Sequence, residues 1–401
     1  MKPRLLHISA IGKTASGLLL PQAQAAQSMG FDVGFIYSPD PPVTSKLRTD
    51  GFTVFEVPIA RKLSPTQDIR SIGAIKDVMT QWKPDIVHTH TSKGGAVGRA
   101  AAILYGKANV VHTIHGFPFI AGQPSLKYWT YLGLEWVMAR YMTDVLLSQS
   151  REDVRLARRY RLRARYAYPQ WIGNGVDLLL FDPRFVPKTT KLRQAHSVPG
   201  ENKILLTIAR IKKEKGLGEV VEALVPLRSL PWSWFIVGGI EEPGFYSRLR
   251  ERIREVGLED RVVFLGPRDD IPELLAEADW YILASHREGV PRSLIEAHAM
   301  AVPSITTDIR GCNEVCVDAQ TGFIVPATQV LPLAAALEQA LTGSADEYEC
   351  MRIKARMRAE ANFDENAVIE RILDSYRPIL TADGKNLTVK PHALDREKRA
   401  G

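Results

Sequence analysis

The chain has 401 residues, 45% of them hydrophobic and 24% charged, which is an ordinary composition for a soluble globular protein and a length sufficient for two domains. No apolar run approaches the roughly 18 residues that a membrane-spanning helix needs, which argues against a membrane-embedded protein. The net charge of +7 is uneven, because residues 1–200 carry 26 Lys and Arg against 13 Asp and Glu, whereas residues 201–401 carry 26 against 32. We therefore expect the first half to meet an anionic surface or an anionic substrate.

The termini and cysteines give a first indication of the compartment. The chain has three cysteines, Cys312, Cys316 and Cys350. Their number is odd and too small for a disulfide framework or a zinc site, so we expect free thiols in a reducing compartment. A basic start followed by an apolar stretch resembles a signal peptide, but His7 and Lys13 interrupt it. We interpret residues 5–9 as a first strand and the N-terminus as mature and cytosolic.

Short β-rich runs alternate with helical stretches from residue 5 onward, which predicts a parallel sheet covered by helices on both faces. The predicted strands of the first half are 5–9, 32–37, 53–56, 85–90, 110–114 and 144–148. The predicted helices include 18–29, 68–82 and 96–105. Ligands of such sheets bind beyond the carboxyl ends of the strands, so the loops that follow those ends are the candidates for function.

The first such loop, residues 11–17, resembles the end of a phosphate-binding P-loop in its Gly12-Lys13-Thr14 sequence. The position of the first required glycine holds His7, so we reject a P-loop nucleotidase. Gly12 stays a candidate for close approach of the backbone to the phosphate or sugar of a ligand.

The next two loops follow the predicted strands 85–90 and 110–114. One places Lys93 and Gly94 at the start of a helix, where cations and free N–H groups suit an anion. The other has His115 at its tip. We favour a functional role for Lys93 and His115, because both lie on the ligand side of the sheet.

Four histidines in two clusters, at and after the ends of these strands, invite a metal hypothesis: His88, His90, His112 and His115. The nearby acid, Asp85, lies at the far end of its strand, and the alternation of a strand directs the histidines to different faces. We therefore predict that no metal is bound. Packing at a strand end is an equally good explanation for His88 and His112.

An aromatic helix at residues 127–140 is followed by a run of arginines, Arg151, Arg155, Arg158, Arg159, Arg161, Arg163 and Arg165. A solvated helix face, an RNA-binding stripe and a patch for anionic lipid headgroups all fit such a run. No RNA-binding motif accompanies it, so nucleic acid is the least favoured. The other two interpretations stay open.

After a proline-containing linker at 181–188, a second α/β pattern begins with predicted strands at 204–209, 234–237 and 279–284. The loop after the first of these carries Arg210 and Lys215. Two cations at a strand end suit a diphosphate whose negative charge grows as it leaves.

Residues 285–300 combine a loop carboxylate, Glu288, with a helical one, Glu296. Pro291 suits the first position of the helix, whose free N–H groups and dipole suit phosphate or sugar oxygens. A carboxylate accepts hydrogen bonds from two neighbouring hydroxyls, so the segment fits a nucleotide sugar, with Glu288 on the sugar and Glu296 on the ribose. Two solvated glutamates on an ordinary strand–loop–helix are the alternative, and the full pattern of the segment favours function.

Several segments together resemble the retaining glycosyltransferases of family four, in the bacterial branch that builds capsule, exopolysaccharide and lipid-linked oligosaccharides. These segments are 61–65, 88–95, 112–119, 174–177, 288–296 with its Glu-x7-Glu spacing, and 310–314. Ala319 and Cys316 depart from the usual pattern. The resemblance implies the glycosyltransferase B fold, an α/β architecture of two Rossmann-like domains that face each other across a cleft.

The domains that we predict are an acceptor-binding domain at 1–182 and a nucleotide-sugar-binding domain at 183–362. A helix at 363–381 is expected to cross back to the first domain, and residues 382–401 are expected to form a disordered tail. The resemblance covers residues from about 4 to about 380.

The expected activity is retaining transfer of a hexosyl or N-acetylhexosaminyl group from a nucleoside diphosphate sugar to a saccharide on a polyprenyl diphosphate. The predicted catalytic residues are Glu288, His115, Arg210 and Lys215. The predicted donor-binding residues are Glu296, Gly289, Val290, Arg292, Ser293, Leu294, Arg268 and Gly12. The predicted acceptor-binding residues are Lys93, Gly94 and Arg61. We expect no cofactor or metal, and no nucleic acid as a partner.

We further expect the protein to be cytoplasmic and peripheral at the inner face of the cytoplasmic membrane, bound to its anionic surface. Two alternatives are a nucleotide-sugar epimerase of the same fold and a non-catalytic membrane-associated scaffold. Loss of Glu288, Glu296 or Arg210 would have favoured the scaffold, and all three are present.

Overall fold

A computed structural model of the chain describes residues 2–62, 64–119, 125–165 and 167–382. The contacts divide the chain into two compact units. The first runs to Ile172 and also takes the chain from Ile369 onward, and the second spans Gly173–Val368.

In the described part of the first unit, seven parallel strands form one sheet in the order β3-β2-β1-β4-β5-β6-β7. The strands are β1 Arg4–Ile8, β2 Asp32–Tyr37, β3 Thr53–Glu56, β4 Ile86–His90, β5 Asn109–Ile114, β6 Val145–Ser148 and β7 Gln170–Trp171. Six match the predicted strands within one residue at each end. β7 was missed, since two residues leave no readable period.

Helices connect these strands and cover the sheet. They are α1 Leu20–Ser28, α2 Pro41–Thr49, α3 Pro65–Trp82, α4 Ser92–Tyr105, α5 Ser125–Met142 and α6 Arg151–Arg159, and a π-helical segment Thr14–Leu19 precedes α1. Pro65 starts α3, where its missing N–H costs nothing. Ser150 caps α6, because its side chain accepts a hydrogen bond from the N–H of Asp153 at 3.1 Å.

The described part of the second unit holds a sheet of six parallel strands in the order β10-β9-β8-β11-β12-β13. The strands are β8 Lys203–Ile208, β9 Trp232–Val237, β10 Val262–Gly266, β11 Trp280–Leu283, β12 Ser304–Thr307 and β13 Gly322–Val325. The helices are α7 Lys191–Ala195, α8 Leu217–Leu224, α9 Pro243–Glu255, α10 Ile271–Glu277, α11 Arg292–Ala299, α12 Cys312–Val315, α13 Val330–Thr342 and α14 Ala345–Asn362. Apolar clusters pack on both faces of this sheet, as expected for parallel strands.

The observed division precedes the predicted boundary at 182/183, because residues 173–182 are bound within the second unit. Asn174 donates its side-chain N–H to the carbonyl of Val290 at 2.8 Å. Asp182 accepts from the guanidinium of Arg356 at 3.1 Å.

The last helix, α15, spans Glu365–Ala382. From Ile369 onward it belongs to the first unit, where Tyr376 OH lies 2.5 Å from Nδ1 of His88. The predicted disordered tail, 382–401, lies outside the described residues apart from Ala382, which ends α15. Within the described chain, no helix has the length and apolarity required to cross a bilayer.

Candidate active site

The site of the second unit lies where the strand order reverses. From β8 the chain continues through β9 and β10 toward one edge of the sheet, whereas β11, β12 and β13 extend toward the other. The loops after β8 and β11 therefore start side by side, and a ligand of such a sheet binds at this reversal. These loops carry Arg210 and Lys215 on one side and Glu288 on the other.

Two glycines allow these loops to touch. Gly216 has a φ of +67°, and a Cβ added to it would lie 1.9 Å from the carbonyl oxygen of Ala284. Gly311 has a φ of +83°, and its added Cβ would lie 1.3 Å from the carbonyl oxygen of Gly289. Glycine is required at both positions, because it has no Cβ and tolerates positive φ. The segment 310–314 thus supports the backbone next to Glu288.

Lys215 and Glu288 form an ion pair between Nζ and Oε1, and their side chains are 11% and 14% exposed. Ser285 Oγ donates to the same carboxylate oxygen at 2.8 Å. The two residues came from separate motifs of the sequence, and the fold brings them into direct contact. The pair joins a cation suited to phosphate with a carboxylate suited to hydroxyl groups.

Two more of the predicted cations, Arg210 and Arg268, also contact carboxylates. Arg210 NH1 lies 2.5 Å from Oε2 of Glu241, and the Arg210 side chain is 55% exposed. The guanidinium of Arg268 pairs with Asp270. Sequence reasoning missed Glu241, which is distant in sequence from Arg210, and Asp270, which lies two residues after Arg268 but in no motif.

Glu296 lies inside α11, as predicted, and contacts a guanidinium. Arg292 Nε lies 3.2 Å from Oε1 of Glu296, and Arg292 NH2 lies 3.1 Å from Oε1 of Glu365. Burial raises the pKa of Glu296 above its ordinary value, while the charge of Arg292 opposes that rise. The Arg292 side chain therefore has a second task, to hold Glu296, which the sequence did not reveal.

The start of α11 differs by one residue from the prediction. Pro291 has an extended ψ of 115° and precedes the helix, which begins at Arg292. Val290 and Leu294 bury their side chains in the core, so only the backbone of these residues is available to a ligand at the helix start. Ser293 Oγ accepts a hydrogen bond of 2.6 Å from the hydroxyl of Tyr281, a buried residue that sequence reasoning missed.

Gly12, Lys93 and Gly94 of the first unit also lie at a reversal of strand order, between β1 and β4, whereas His115 follows β5. A Cβ added to Gly94 would lie 2.9 Å from Cα of Ser9, so the loops after β1 and β4 are in contact. Gly12 follows β1, and Arg61 lies in the bend between β3 and α3.

Lys93 is not a separate cation at the start of α4. Its Nζ forms an ion pair with Oδ2 of Asp68 on α3, and the two side chains are 19% and 20% exposed. The partner was missed because it lies on a helix that is distant in sequence. An anion that binds Lys93 must therefore compete with Asp68.

His115 has both ring nitrogens within hydrogen-bonding distance of other side chains. Its Nδ1 lies 3.0 Å from Oε1 of Gln149, and its Nε2 lies 3.3 Å from Nδ1 of His90. Burial lowers the pKa of His115 to about 4, so the imidazole is neutral near neutral pH.

His88 and His112 are packed at their strand ends. His88 lies 2.5 Å from the Tyr376 hydroxyl and 2.7 Å from the Thr113 hydroxyl. His112 Nδ1 lies 2.9 Å from the hydroxyl of Thr89. Burial is the main cause that lowers the pKa of each histidine well below its ordinary value.

The described residues contain one group of potential metal ligands, His7, His88 and His90, with ligand atoms within 4.8 Å of one another. His7 was absent from the predicted set, because it comes from β1 rather than from the two later loops. The nitrogens of His88 already contact two hydroxyls, and Nδ1 of His7 lies 3.0 Å from Nε2 of His90. The observed distances therefore fit hydrogen bonds between imidazoles better than coordination.

The aromatic helix α5 and the arginine run share one surface of the first unit. The hydroxyls of Tyr128 and Tyr160 lie 3.0 Å apart, and Arg140 NH1 donates to the carbonyl of Arg165 at 3.1 Å. The exposed apolar and aromatic side chains of α5 are Leu126, Trp129, Leu134, Trp136, Val137 and Tyr141. The seven arginines are exposed as well, so an apolar face and a cationic face lie next to each other.

Two family models match the chain. The one described as glycosyl transferases group 1 matches residues 188–358, and the one described as glycosyl transferase 4-like matches residues 7–150. A UDP-Gal:alpha-D-GlcNAc-diphosphoundecaprenol alpha-1,3-galactosyltransferase of Escherichia coli is 30% identical over 318 residues, which cover 77% of this chain and 78% of that protein. The chain belongs to glycosyltransferase family 4.

Other relatives agree with this assignment. The putative glycosyltransferase EpsD of Bacillus subtilis (strain 168) is 29% identical over 343 residues, which cover 84% of this chain and 87% of that protein. The crystal structure of Anabaena HepE in complex with UDP and glucose is similar with a TM-score of 0.79 at 20% identity, covering 94% of this chain and 100% of that one. The likeness shows the glycosyltransferase B fold, and the prediction of that fold is confirmed.

Proposed function

We propose that this glycosyltransferase moves a hexosyl or N-acetylhexosaminyl group from a nucleoside diphosphate sugar to a saccharide on a polyprenyl diphosphate, with retention of configuration. The observation that carries the proposal is the contact of Lys215 with Glu288 at the reversal between β8 and β11. The pathway that we favour is the assembly of capsule, exopolysaccharide or lipid-linked oligosaccharide. Support comes from the E. coli relative, whose name specifies UDP-Gal and a diphosphoundecaprenol-linked acceptor.

The donor roles follow from the charges around this contact. The diphosphate takes the ammonium of Lys215 and the guanidinium of Arg210, while the sugar hydroxyls take the carboxylate of Glu288. Glu296 accepts from the ribose hydroxyls, and Arg292 keeps it in place. The N–H groups at the start of α11, from Arg292 to Leu294, have no acceptor within the helix and bind phosphate or sugar oxygens. The HepE complex with UDP and glucose supports this class of donor.

The chemical step breaks the bond between the anomeric carbon and the diphosphate oxygen and forms a bond from the same carbon to the acceptor oxygen. The acceptor hydroxyl approaches on the face that the diphosphate leaves, and its proton passes to a diphosphate oxygen. This route needs no covalent intermediate with the protein. Lys215 and Arg210 stabilise the negative charge on the leaving group without a metal ion.

The acceptor diphosphate meets the first unit at Lys93, Gly94 and Arg61. The basic excess of residues 1–200 supports this placement. A plain saccharide has no use for these cations or for the N–H groups at the start of α4, whereas a diphosphate uses both. Asp68 holds Lys93 in place until the acceptor arrives.

The test compares a saccharide carried on a polyprenyl diphosphate with the same saccharide free, using wild type and Lys93→Ala. We expect kcat/KM to favour the lipid-linked acceptor strongly in wild type. The preference should shrink about tenfold or more in the variant, since a charge-assisted hydrogen bond is lost. Lys76→Ala, which changes a half-buried lysine of α3, serves as the control. Equal efficiency with both acceptors in wild type would refute the acceptor assignment.

The surface formed by α5 and the arginine run is the proposed contact with an anionic membrane, at the cytoplasmic face where a polyprenyl-linked acceptor resides. Exposed Trp and Tyr favour the headgroup region, and arginines attract anionic lipids. The contacts between α5 and the segment of the arginine run support one docking face that includes both, rather than two independent patches.

A further inference from the structure

A chain of hydrogen-bonded imidazoles leads from His115 into the first unit. Nε2 of His115 lies 3.3 Å from Nδ1 of His90, and Nε2 of His90 lies 3.0 Å from Nδ1 of His7. The three side chains come from the loop after β5, from β4 and from β1. The same arrangement of Nδ1 and Nε2 therefore repeats at both links.

Gln149 determines which imidazole nitrogen donates at each hydrogen bond of this histidine chain. The Oε1 atom of Gln149 is an acceptor, so Nδ1 of His115 must carry the proton in the 3.0 Å hydrogen bond. A neutral imidazole has one N–H, which leaves Nε2 of His115 as an acceptor for His90. His90 then accepts at Nε2 from Nδ1–H of His7. All three histidines have the proton on Nδ1.

The other end of the chain agrees with this direction. Nε2 of His7 is buried and has no hydrogen-bond partner in the described part of the protein. Because the proton of His7 is on Nδ1, its Nε2 has no proton and keeps an unused lone pair. The opposite direction would leave a buried N–H without an acceptor, which is the rarer and more costly defect. Burial lowers the pKa of His7 to about 3, which keeps the ring neutral.

We propose that His90 is a positioning residue for the transfer site, because its Nδ1–H holds His115 in one tautomer and one ring orientation. Both ring nitrogens of His115 are then occupied, so this histidine contributes to the reaction by its fixed position and not by taking a proton. The proposal rests on the assignment of His115 as a catalytic residue, which the resemblance to family four implies. His7 completes the chain by fixing the tautomer of His90.

His88 provides a matched control. It lies on the same strand as His90, is equally buried, and its ring centroid is 4.1 Å from that of His90. Its nitrogens contact Tyr376 and Thr113 and not His115. Replacement of His88 therefore disturbs the same core but removes no hydrogen bond between His7, His90 and His115.

The direct test is ¹⁵N NMR of protein labelled at histidine, since ring nitrogens with and without a proton differ strongly in chemical shift. We expect Nδ1–H tautomers at His7, His90 and His115 in wild type. His90→Leu should give a mixture of tautomers at His115, His90→Asn should restore the Nδ1–H form because its amide N–H replaces the lost donor, and His88→Leu should leave His115 unchanged. A proton on Nε2 of His115 in wild type, or an unchanged His115 in His90→Leu, would overturn the proposal.

Kinetics provide a second measurement with a separate mode of failure. We expect His90→Leu to lower kcat about tenfold, as for loss of one positioning hydrogen bond, while the Kd of the free nucleoside diphosphate stays at the wild-type value. His90→Asn should recover most of the lost rate. Failure of transfer by wild type would contradict the proposed function but leave the tautomer result standing. An equal loss of kcat in His88→Leu would show that His90 acts only by packing, which would contradict the positioning role.

Discussion

Lys215 and Glu288 neutralise each other in a place where both side chains are mostly buried. An unpaired charge there would be costly, so the ion pair stabilises the loop when no substrate is bound. In the proposed reaction the donor divides the pair, with the diphosphate at Lys215 and sugar hydroxyls at Glu288. Arg210 with Glu241 and Lys93 with Asp68 repeat this arrangement. Each cation thus has a resident carboxylate that an anionic substrate replaces.

Glu288→Gln and Glu296→Gln should therefore have different effects. Glu288→Gln should lower kcat roughly ten- to a hundredfold, and binding of the free nucleoside diphosphate should tighten because Lys215 loses its competitor. Glu296→Gln should weaken nucleotide binding by about tenfold. Steady-state kinetics and calorimetric titration measure these effects, with Glu338→Gln on the exposed face of α13 as the control. Wild-type values for both site variants would disprove the assignment of the site.

At the residue level, the sequence pointed to the residues of the proposed site but not to the side chains that contact them. The sequence pointed to Glu288, Arg210 and Lys215 because they lie in motifs that follow predicted strands. It pointed to Glu296 because that residue completes the Glu-x7-Glu spacing. Their partners Glu241, Glu365, Asp68 and Asp270 were missed, and so was the histidine His7. Glu241, Glu365, Asp68 and His7 are distant in sequence from the groups that they contact, so only folding brings them together, whereas Asp270 lies two residues after Arg268 but in no motif.

At the level of elements, periodicity was most reliable for buried apolar strands, and β2 and β3 have the predicted bounds. β12, Ser304–Thr307, was missed because three of its four residues are polar although all are buried. α4 begins at Ser92, four residues before the predicted start at Ala96. Gly94 and Gly95 have low helix propensity, which explains the later predicted start. The fold requires both glycines, because a Cβ added to Gly94 would lie 2.9 Å from Cα of Ser9 and a Cβ added to Gly95 would lie 2.4 Å from the ring of His112.

The surface of α5 and the arginine run gives a prediction at the same scale. Replacement of Arg155, Arg158, Arg159 and Arg163 by Gln should abolish binding to anionic vesicles, and salt should release the wild type, because exposed charge is screened beyond about 10 Å at 0.1 M. The control replaces four exposed arginines of the second unit, Arg228, Arg248, Arg250 and Arg254, with the same loss of charge. Vesicle cosedimentation measures both. Equal binding to neutral vesicles, or equal loss in the control, would refute electrostatic docking through this surface.

The molecule as a whole contains an acid-sensitive core in its first unit. His7 and His115 have pKa values lowered by burial to about 3 and about 4, and those of His88, His90 and His112 are lowered in the same direction. The unfolded chain binds protons below about pH 6.5, whereas these buried rings do not. Stability is therefore full above about pH 6.5 and is lost as the pH falls toward the folded values.

We expect the free energy of unfolding of the first unit to decrease by about 1 kcal/mol for each buried histidine per pH unit below 6.5. The urea midpoint of that unit should therefore fall between pH 7.5 and pH 5.5. The second unit, where His298 has a pKa lowered to about 3, should respond less. Fluorescence of tryptophans in each unit follows the two transitions. His7→Phe should reduce the pH dependence of the first unit. A midpoint that does not change over this range would show that the histidines ionise in the folded state.

The most direct test of the central claim is the anomeric configuration of the product, determined by NMR after transfer from a panel of nucleoside diphosphate sugars to a lipid-diphosphate-linked saccharide, with a chelator present throughout. The account predicts acceptor-dependent release of nucleoside diphosphate, a new glycosidic bond with the configuration of the donor, and a rate that the chelator leaves unchanged and Glu288→Gln lowers. An inverted product, or transfer that Glu288→Gln leaves untouched, would contradict it.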